Sequence, residues 1–253
     1  MRYFIHLAYK GTNYHGWQSQ PDAISVQECL EKALLTLLRK PVSIMGAGRT
    51  DAGVHAKEMF AHFDFDATID SDKLVHKLNS FLPKDIAIFK ILNVHGEAHA
   101  RFDATKRTYE YHIHTQKNPF ECHDSWQHSI LLNIEKMNEA CTILFEYTDF
   151  ECFSKLHTDV NTFNCKIYEA HWKKNENQLI FTISADRFLR NMVRAIVGTM
   201  INIGLEKITL DDFKKIIESK LLPKKEYKYS DFTFIILRDY LERITGKKLD
   251  VLV

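Results

Sequence analysis

Two apolar periods alternate along the first part of the chain, and their order leaves few folds open. Residues 3–9 of "MRYFIHLAYK" alternate in the manner of a half-buried strand. "SVQECLEKALLTLL" then switches to helical spacing, with Val26, Cys29, Leu30, Ala33, Leu34, Leu37 and Leu38 on one face. Ser25 and Glu28 stand at its start in the S-x-x-E order of a capping box, which satisfies the free amides of a first turn. Strands are expected over "VSIM" (42–45), "EMFAHFDF" (58–65) and "DIAIFKILNV" (85–94). Between the last two, Asp70, Ser71 or Asp72 caps a second helix that Pro83 closes. The resulting β-α-β-β-α-β order is that of a split-βαβ, ferredoxin-like unit.

The rest of the chain nearly repeats that order. "TYEYHIHT" reads as a strand, 134–145 as a helix, and "KIYEAHW" with "LIFTISAD" as a hairpin-like pair of strands. "FLRNMVRAIVGTMINI" is a strongly periodic helix with Gly204 at its stop, and Thr209 and Asp212 open a short helix over 210–219. "FTFIIL" (232–237) is a candidate for the missing last strand, and "RDYLERITGKK" reads as a helix ended by Gly246; "FTFIILRDYLERI" as a whole also fits a helix. The expected class is α+β, with two ferredoxin-like halves around a central, mainly antiparallel sheet. The halves are expected over 1–100 and 101–253, the second with a divergent tail from about residue 220.

Composition removes several function classes. No apolar run reaches the roughly 18 residues that cross a bilayer. The opening segment reads as an amphipathic strand rather than a secretory signal. Cys29, Cys122, Cys141, Cys152 and Cys165 are scattered without paired metal spacing, which suits a reducing cytoplasm and argues against structural zinc. His112 and His114 share one face of a strand, where surface or partly buried imidazoles compete with a metal pair. With 34 basic and 33 acidic side chains the net charge is only +1, so a nucleic-acid surface would need a local concentration of cations.

Three segments could carry chemistry. "MGAGRTDAGVHA" (45–56) holds Gly46, Gly48, Gly53, Arg49, Asp51 and His55 between two strands. A phosphate-cradling loop requires a helix opening right after it and a set glycine spacing, and this stretch offers neither. A decorated turn and a catalytic loop remain; in the latter the glycines let the backbone hold Asp51 at an angle a Cβ would forbid, with Arg49 reaching a ligand beside it. In "RFLRNMVRAIVG", Arg187, Arg190 and Arg194 fall on one side of the helix, either as a solvated face or as partners for a buried carboxylate. "RFDATKRTYEY" interleaves Arg101, Lys106 and Arg107 with Tyr109 and Tyr111, as a core strand or as a surface where arginines meet phosphates and rings meet bases.

Taken in order, "YKGTNYHGWQ", "SVQECLEKAL", "GAGRTDAGVHA", "NSFLPKDIAI", "HARFDATKRTYEY" and "FLRNMVRAIVGT" resemble successive motifs of the TruA family of tRNA pseudouridine synthases. The resemblance covers residues 1 to about 205 and implies the pseudouridine synthase fold. It implies Asp51 as the catalytic aspartate, Arg194 as its partner, and Tyr109 as the ring that stacks on the target uracil and a candidate base. Arg49 would enter the RNA where the base leaves. Apart from the resemblance, the basic Arg101, Lys106, Arg107 and Arg190 are candidate RNA contacts. The resemblance further implies a cytoplasmic homodimer, without metal or cofactor, that isomerises uridines at positions 38–40 in the anticodon stem-loop of tRNA. Two departures stand out. Lys166 replaces a common arginine, and the tail has neither the Ala-Gly-x-x-x-Pro loop nor the Gly-Leu-x-Leu strand that usually line the uracil pocket. The alternative reading is therefore a catalytically weak tRNA-binding or chaperone-like relative with an altered pocket.

Overall fold

The computed structural model describes residues 1–119, 124–129, 131–155, 161–220 and, for the backbone alone, 235–240. These form two compact units, Met1–Lys106 with the strand from Ile236, and Arg107–Ile235.

In the first unit β1 (Arg2–Tyr9) is followed by α1 (Val26–Leu38), β2 (Met45–Gly46), β3 (His55–Asp64), α2 (Ser71–Phe81) and β4 (Ile86–Val94). β1 lies between β3 and β4 and is antiparallel to both, while β2 pairs antiparallel with the far edge of β3. This is the split-βαβ order expected from the two periods. The half-buried alternation expected of β1 gives way to a continuous run, with Tyr3, Phe4 and Ile5 all buried. Both faces are covered: on Phe4's side Phe60, Val94, Ala98 and Ala100 build a second small core from the sheet and the segment after β4.

β2 is shorter than "VSIM" suggested, because side chains of α1 already satisfy the backbone of Ile44. Glu31 Oε1 accepts from its N–H at 2.9 Å, and Gln27 Nε2 donates to its carbonyl at 3.1 Å. At the start of α1, Ser25 caps the Glu28 amide, but the Glu28 carboxylate pairs forward with Lys32 at 2.5 Å. Asp70 is the residue that caps α2.

The second unit runs β5 (Lys106–His114), β6 (Trp126–Gln127), α3 (Ile134–Leu144), β7 (Ile167–Asn175), β8 (Gln178–Ala185), α4 (Met192–Gly204) and α5 (Leu210–Ser219). β8 lies antiparallel between β5 and β7, and β6 adds a short parallel pair to β5. Thr209 and Asp212 form a complete capping box on α5. α4 is buried at every position from Ala195 to Gly204. Gly204 serves packing rather than a left-handed stop: a Cβ there would come within 2.5 Å of the Met137 sulfur on α3.

α4 begins only at Met192, so Arg187 and Arg190 lie in the preceding loop and share no helical face with Arg194. Asn191, with φ of 72°, turns the chain into the helix. The last strand, β9 (Ile235–Tyr240), pairs in parallel with β3 from Ile236 to Arg238. Arg238, Asp239 and Tyr240 are thus strand rather than the expected helix. The remainder of the tail, 221–234 and 241–253, lies outside the described residues, as does its expected part in a uracil pocket.

Candidate active site

The loop from Ala47 to Val54 joins β2 to β3 and owes its shape to "YKGTNYHGWQ", a stretch whose residue pattern marks it only as a connection. Thr50 is anchored twice: its carbonyl accepts from Trp17 N–H at 3.4 Å, and its hydroxyl bonds the Tyr9 hydroxyl at 2.8 Å. Gly53 N–H donates to the Tyr14 carbonyl at 3.2 Å, and Gly11 N–H donates to Nδ1 of buried His55 at 2.8 Å. Val54 N–H closes a turn onto the Asp51 carbonyl at 3.2 Å, with φ of 77° at Gly53. Arg49 and Asp51, on either side of the anchored Thr50, are both exposed.

The glycines that make this possible lie both inside the motif and outside it. A Cβ on Gly11 would stand 2.0 Å from the Val54 carbonyl oxygen, and one on Gly16 2.1 Å from that of Thr50. A Cβ on Gly46 would stand 2.5 Å from the Trp17 ring, whereas Gly48 faces open space. Only Gly53 within the loop has a positive φ. The bracing arm is itself tied down: the Tyr14 hydroxyl donates to Asp85 at 2.5 Å, and burial followed by this bond raises its pKa. Lys10 N–H donates to the Asp85 carbonyl at 2.8 Å.

In the same unit Arg101 is exposed, on the segment between β4 and β5, and Lys106 opens β5 half-buried. The second unit holds the other expected residues. Tyr109 is half-buried on β5 and meets Phe188 edge-on at 5.0 Å, a neighbour no sequence period indicated. Tyr111, two residues on, is wholly buried core. Phe188 belongs to the loop between β8 and α4, which Asp186 organises. Its Oδ1 accepts from the amides of Lys166 (2.8 Å) and Arg187 (2.7 Å), and its carbonyl accepts from Arg107 at 2.9 Å. A lysine in place of the commoner arginine at 166 leaves this backbone bond available. Arg190 is exposed in that loop. Arg194 is half-buried in the first turn of α4, where the helix dipole opposes a cation and its Nε is shielded from solvent.

The remaining candidates have other employment. His112 pairs with Glu110 at 3.1 Å, and His114 bonds the Ser125 hydroxyl at 2.7 Å. No cluster of metal-ligating side chains occurs among the described residues. Burial pushes the Cys141, Cys152 and Cys165 thiols up to about 12, which disfavours their thiolates. Among the described residues no helix is long and apolar enough to cross a membrane. A cavity of about 660 Å³ lies at the far end of β5 from Tyr109, lined by Gln116, Lys117, Asn177 and Gln178 among others.

A split-βαβ unit that holds out an arginine and an aspartate on a braced loop, in a chain with a second unit of related order, is the architecture of a pseudouridine synthase. The model of a family described as tRNA pseudouridine synthase matches residues 6–103 and 147–232. The chain belongs to this family. It is 58% identical over 221 residues to tRNA pseudouridine synthase A of Bacteroides fragilis, covering 87% of this chain and 88% of the relative. It is 56% identical to the protein of that name from Parabacteroides distasonis, covering 87% of each. With that from Thermoanaerobacter sp. it shares 39% over 218 residues, covering 85% of this chain and 89% of the relative. The family match reaches into the tail read as divergent, and the comparisons lend no support to a catalytically weak relative.

Proposed function

We propose that this chain isomerises uridine to pseudouridine in tRNA, with Asp51 as the catalytic carboxylate. The observation that carries the reading is the braced loop: Thr50 is fixed by Tyr9 and Trp17, and the side chains flanking it are an exposed aspartate and an exposed arginine. The reaction breaks the bond from uracil N1 to ribose C1′ and forms one from C5 to C1′. C5 gives up a proton and N1 gains one, so there is no net redox change and the chemistry calls for no cofactor. A carboxylate suits this task as a nucleophile at C1′ or C6, or as a base toward a ribose proton. The target base leaves its stack at a cost of a few kcal/mol. Arg49, beside Asp51, offsets part of that by occupying the gap and meeting phosphate.

Tyr109 is the ring that stacks on the uracil, held by Phe188, and Arg194 is the cation assigned to the catalytic carboxylate. Arg101, Lys106, Arg107 and Arg190 meet the RNA backbone. The reading extends to a cytoplasmic homodimer acting on positions 38–40 of the anticodon stem-loop, from 1–100 and 101–253 as its working halves. The test is carbodiimide mapping of tRNA incubated with the protein. Wild-type chain is expected to yield pseudouridine, and Asp51→Asn to bind tRNA normally without turnover. Unmodified tRNA with the wild type refutes the activity, and wild-type turnover by Asp51→Asn refutes the role of the carboxylate.

A further inference from the structure

One column of rings in the first unit runs from the core to the surface and ends in the open. Phe4 on β1 stacks on His62 of β3 at 5.7 Å, His62 meets His99 at 4.5 Å, and His99 meets Phe102 at 4.2 Å. Exposure rises along it, from 1% at Phe4 and 6% at His62 to 74% at Phe102. Phe102 is thus a large apolar ring that packs on His99 and is otherwise mostly exposed.

The turn that carries it is fixed by hydrogen bonds of its own. Asp103 N–H donates to the His99 carbonyl at 3.0 Å, and His99 N–H donates to Asp103 Oδ2 at 2.7 Å. Nδ1 of His99 accepts from the amides of Arg101 (3.2 Å) and Phe102 (3.3 Å). The flank is tied to the sheet, with Ala100 N–H donating to His62 Nδ1 at 3.2 Å and Arg2 donating to the Ala98 carbonyl at 3.0 Å. These bonds hold the ring outward before any ligand arrives. Arg101 and Thr105 beside it in the chain are exposed, and the Arg101 guanidinium lies 5.8 Å from the ring centroid.

Phe102 presents one exposed aromatic ring with a guanidinium beside it. It suits a single flat partner, since a nucleobase stacks on an aromatic face while a neighbouring arginine meets the adjoining phosphate. We infer that Phe102 is a stacking platform for one unpaired base of the bound tRNA, extending the Phe4–His62–His99 column by one ring. The inference rests on the tRNA reading above and assigns to it a contact outside the Asp51 loop.

The experiment is tRNA binding by the full chain as wild type, Phe102→Ala, Phe102→Tyr and Leu131→Ala. Base–aromatic stacking predicts that Phe102→Ala weakens binding about 5- to 150-fold. The salt dependence stays unchanged, because the lost contact carries no charge. Phe102→Tyr keeps wild-type affinity, and so does Leu131→Ala, which removes an equally bare apolar side chain at 88% exposure. Sedimentation of each variant accompanies the titration. Equal affinity of Phe102→Ala and wild type overturns the platform while leaving the tRNA reading intact. Lost affinity accompanied by a change in oligomeric state overturns it in favour of a contact between copies. A wild-type chain that does not bind tRNA refutes both.

Discussion

Single residues decide where the Asp51 loop stands, and two of the decisive ones, Gly11 and Gly16, lie outside it. Gly16 has φ of 87°, and its missing Cβ leaves room for the Thr50 carbonyl. An alanine there accepts a left-handed backbone at about 1–3 kcal/mol and also meets a backbone oxygen that has nowhere to go. Gly16→Ala is therefore expected to lower the unfolding free energy in urea by at least that amount. It should also cut turnover about 100-fold, since a displacement near 1 Å at a reacting group has that effect. Gly48→Ala meets nothing within 4 Å and is expected to stay within about ±0.5 kcal/mol of wild type. Equal behaviour of the two variants in denaturation and turnover assays contradicts this account. The difference was not legible in the sequence: "GAGRTDAG" draws the eye to its own glycines, while Gly11 and Gly16 act across a tertiary contact that no local period reports.

At the scale of elements, periods were legible and tertiary satisfaction was not. The helix starts at Ser25, Asp70 and Thr209 follow from local side-chain bonding to amides, and the structure keeps all three. "VSIM" shrank to a two-residue pair because Gln27 and Glu31 had taken Ile44's backbone groups, and "FLRN" fell outside α4 because Asp186 holds the chain in a loop. The segment between β4 and β5 is another such case, latched to the sheet through His62. Burial first, then the nearby charges of His99 and Arg2, push the His62 imidazole down to about 4, while Asp64 and Asp103 act the other way. Its unfolded value is near 6.5, so between these limits the unfolded chain binds the extra proton. Stability from this group is complete above about pH 6.5 and lost progressively as pH falls toward 4, by about 3 kcal/mol in all. His62→Gln, which keeps an acceptor for Ala100 N–H, is expected to flatten the decline between pH 7 and 5 relative to wild type. Parallel urea midpoints for the two proteins across that range would show that His62 is not the titrating latch.

For the molecule as a whole, charge is the property to reconcile with an RNA substrate. A net charge of +1 gives no long-range attraction, so affinity must come from cations placed where phosphates run. Several basic side chains are spent elsewhere, among them Arg2 with Asp64, Lys40 with Asp66, Lys136 with Glu206, and Lys220 with Asp149. Arg190 is different in kind, exposed on a loop whose backbone is held by Asp186 and by Lys155 N–H donating to its carbonyl at 3.0 Å. The backbone of such a residue has little freedom left to lose when its guanidinium meets a phosphate. Each phosphate so neutralised adds about 0.7–0.9 to the steepness with which log affinity falls against log salt. Arg190→Ala is therefore expected to weaken tRNA binding, to flatten that slope by about 1, and to do so equally for tRNAs of different sequence. Lys136→Ala removes a cation already paired and leaves the slope as it was. Titrations at four or five salt concentrations distinguish them, and an unchanged slope for Arg190→Ala would move the phosphate contact elsewhere on the protein.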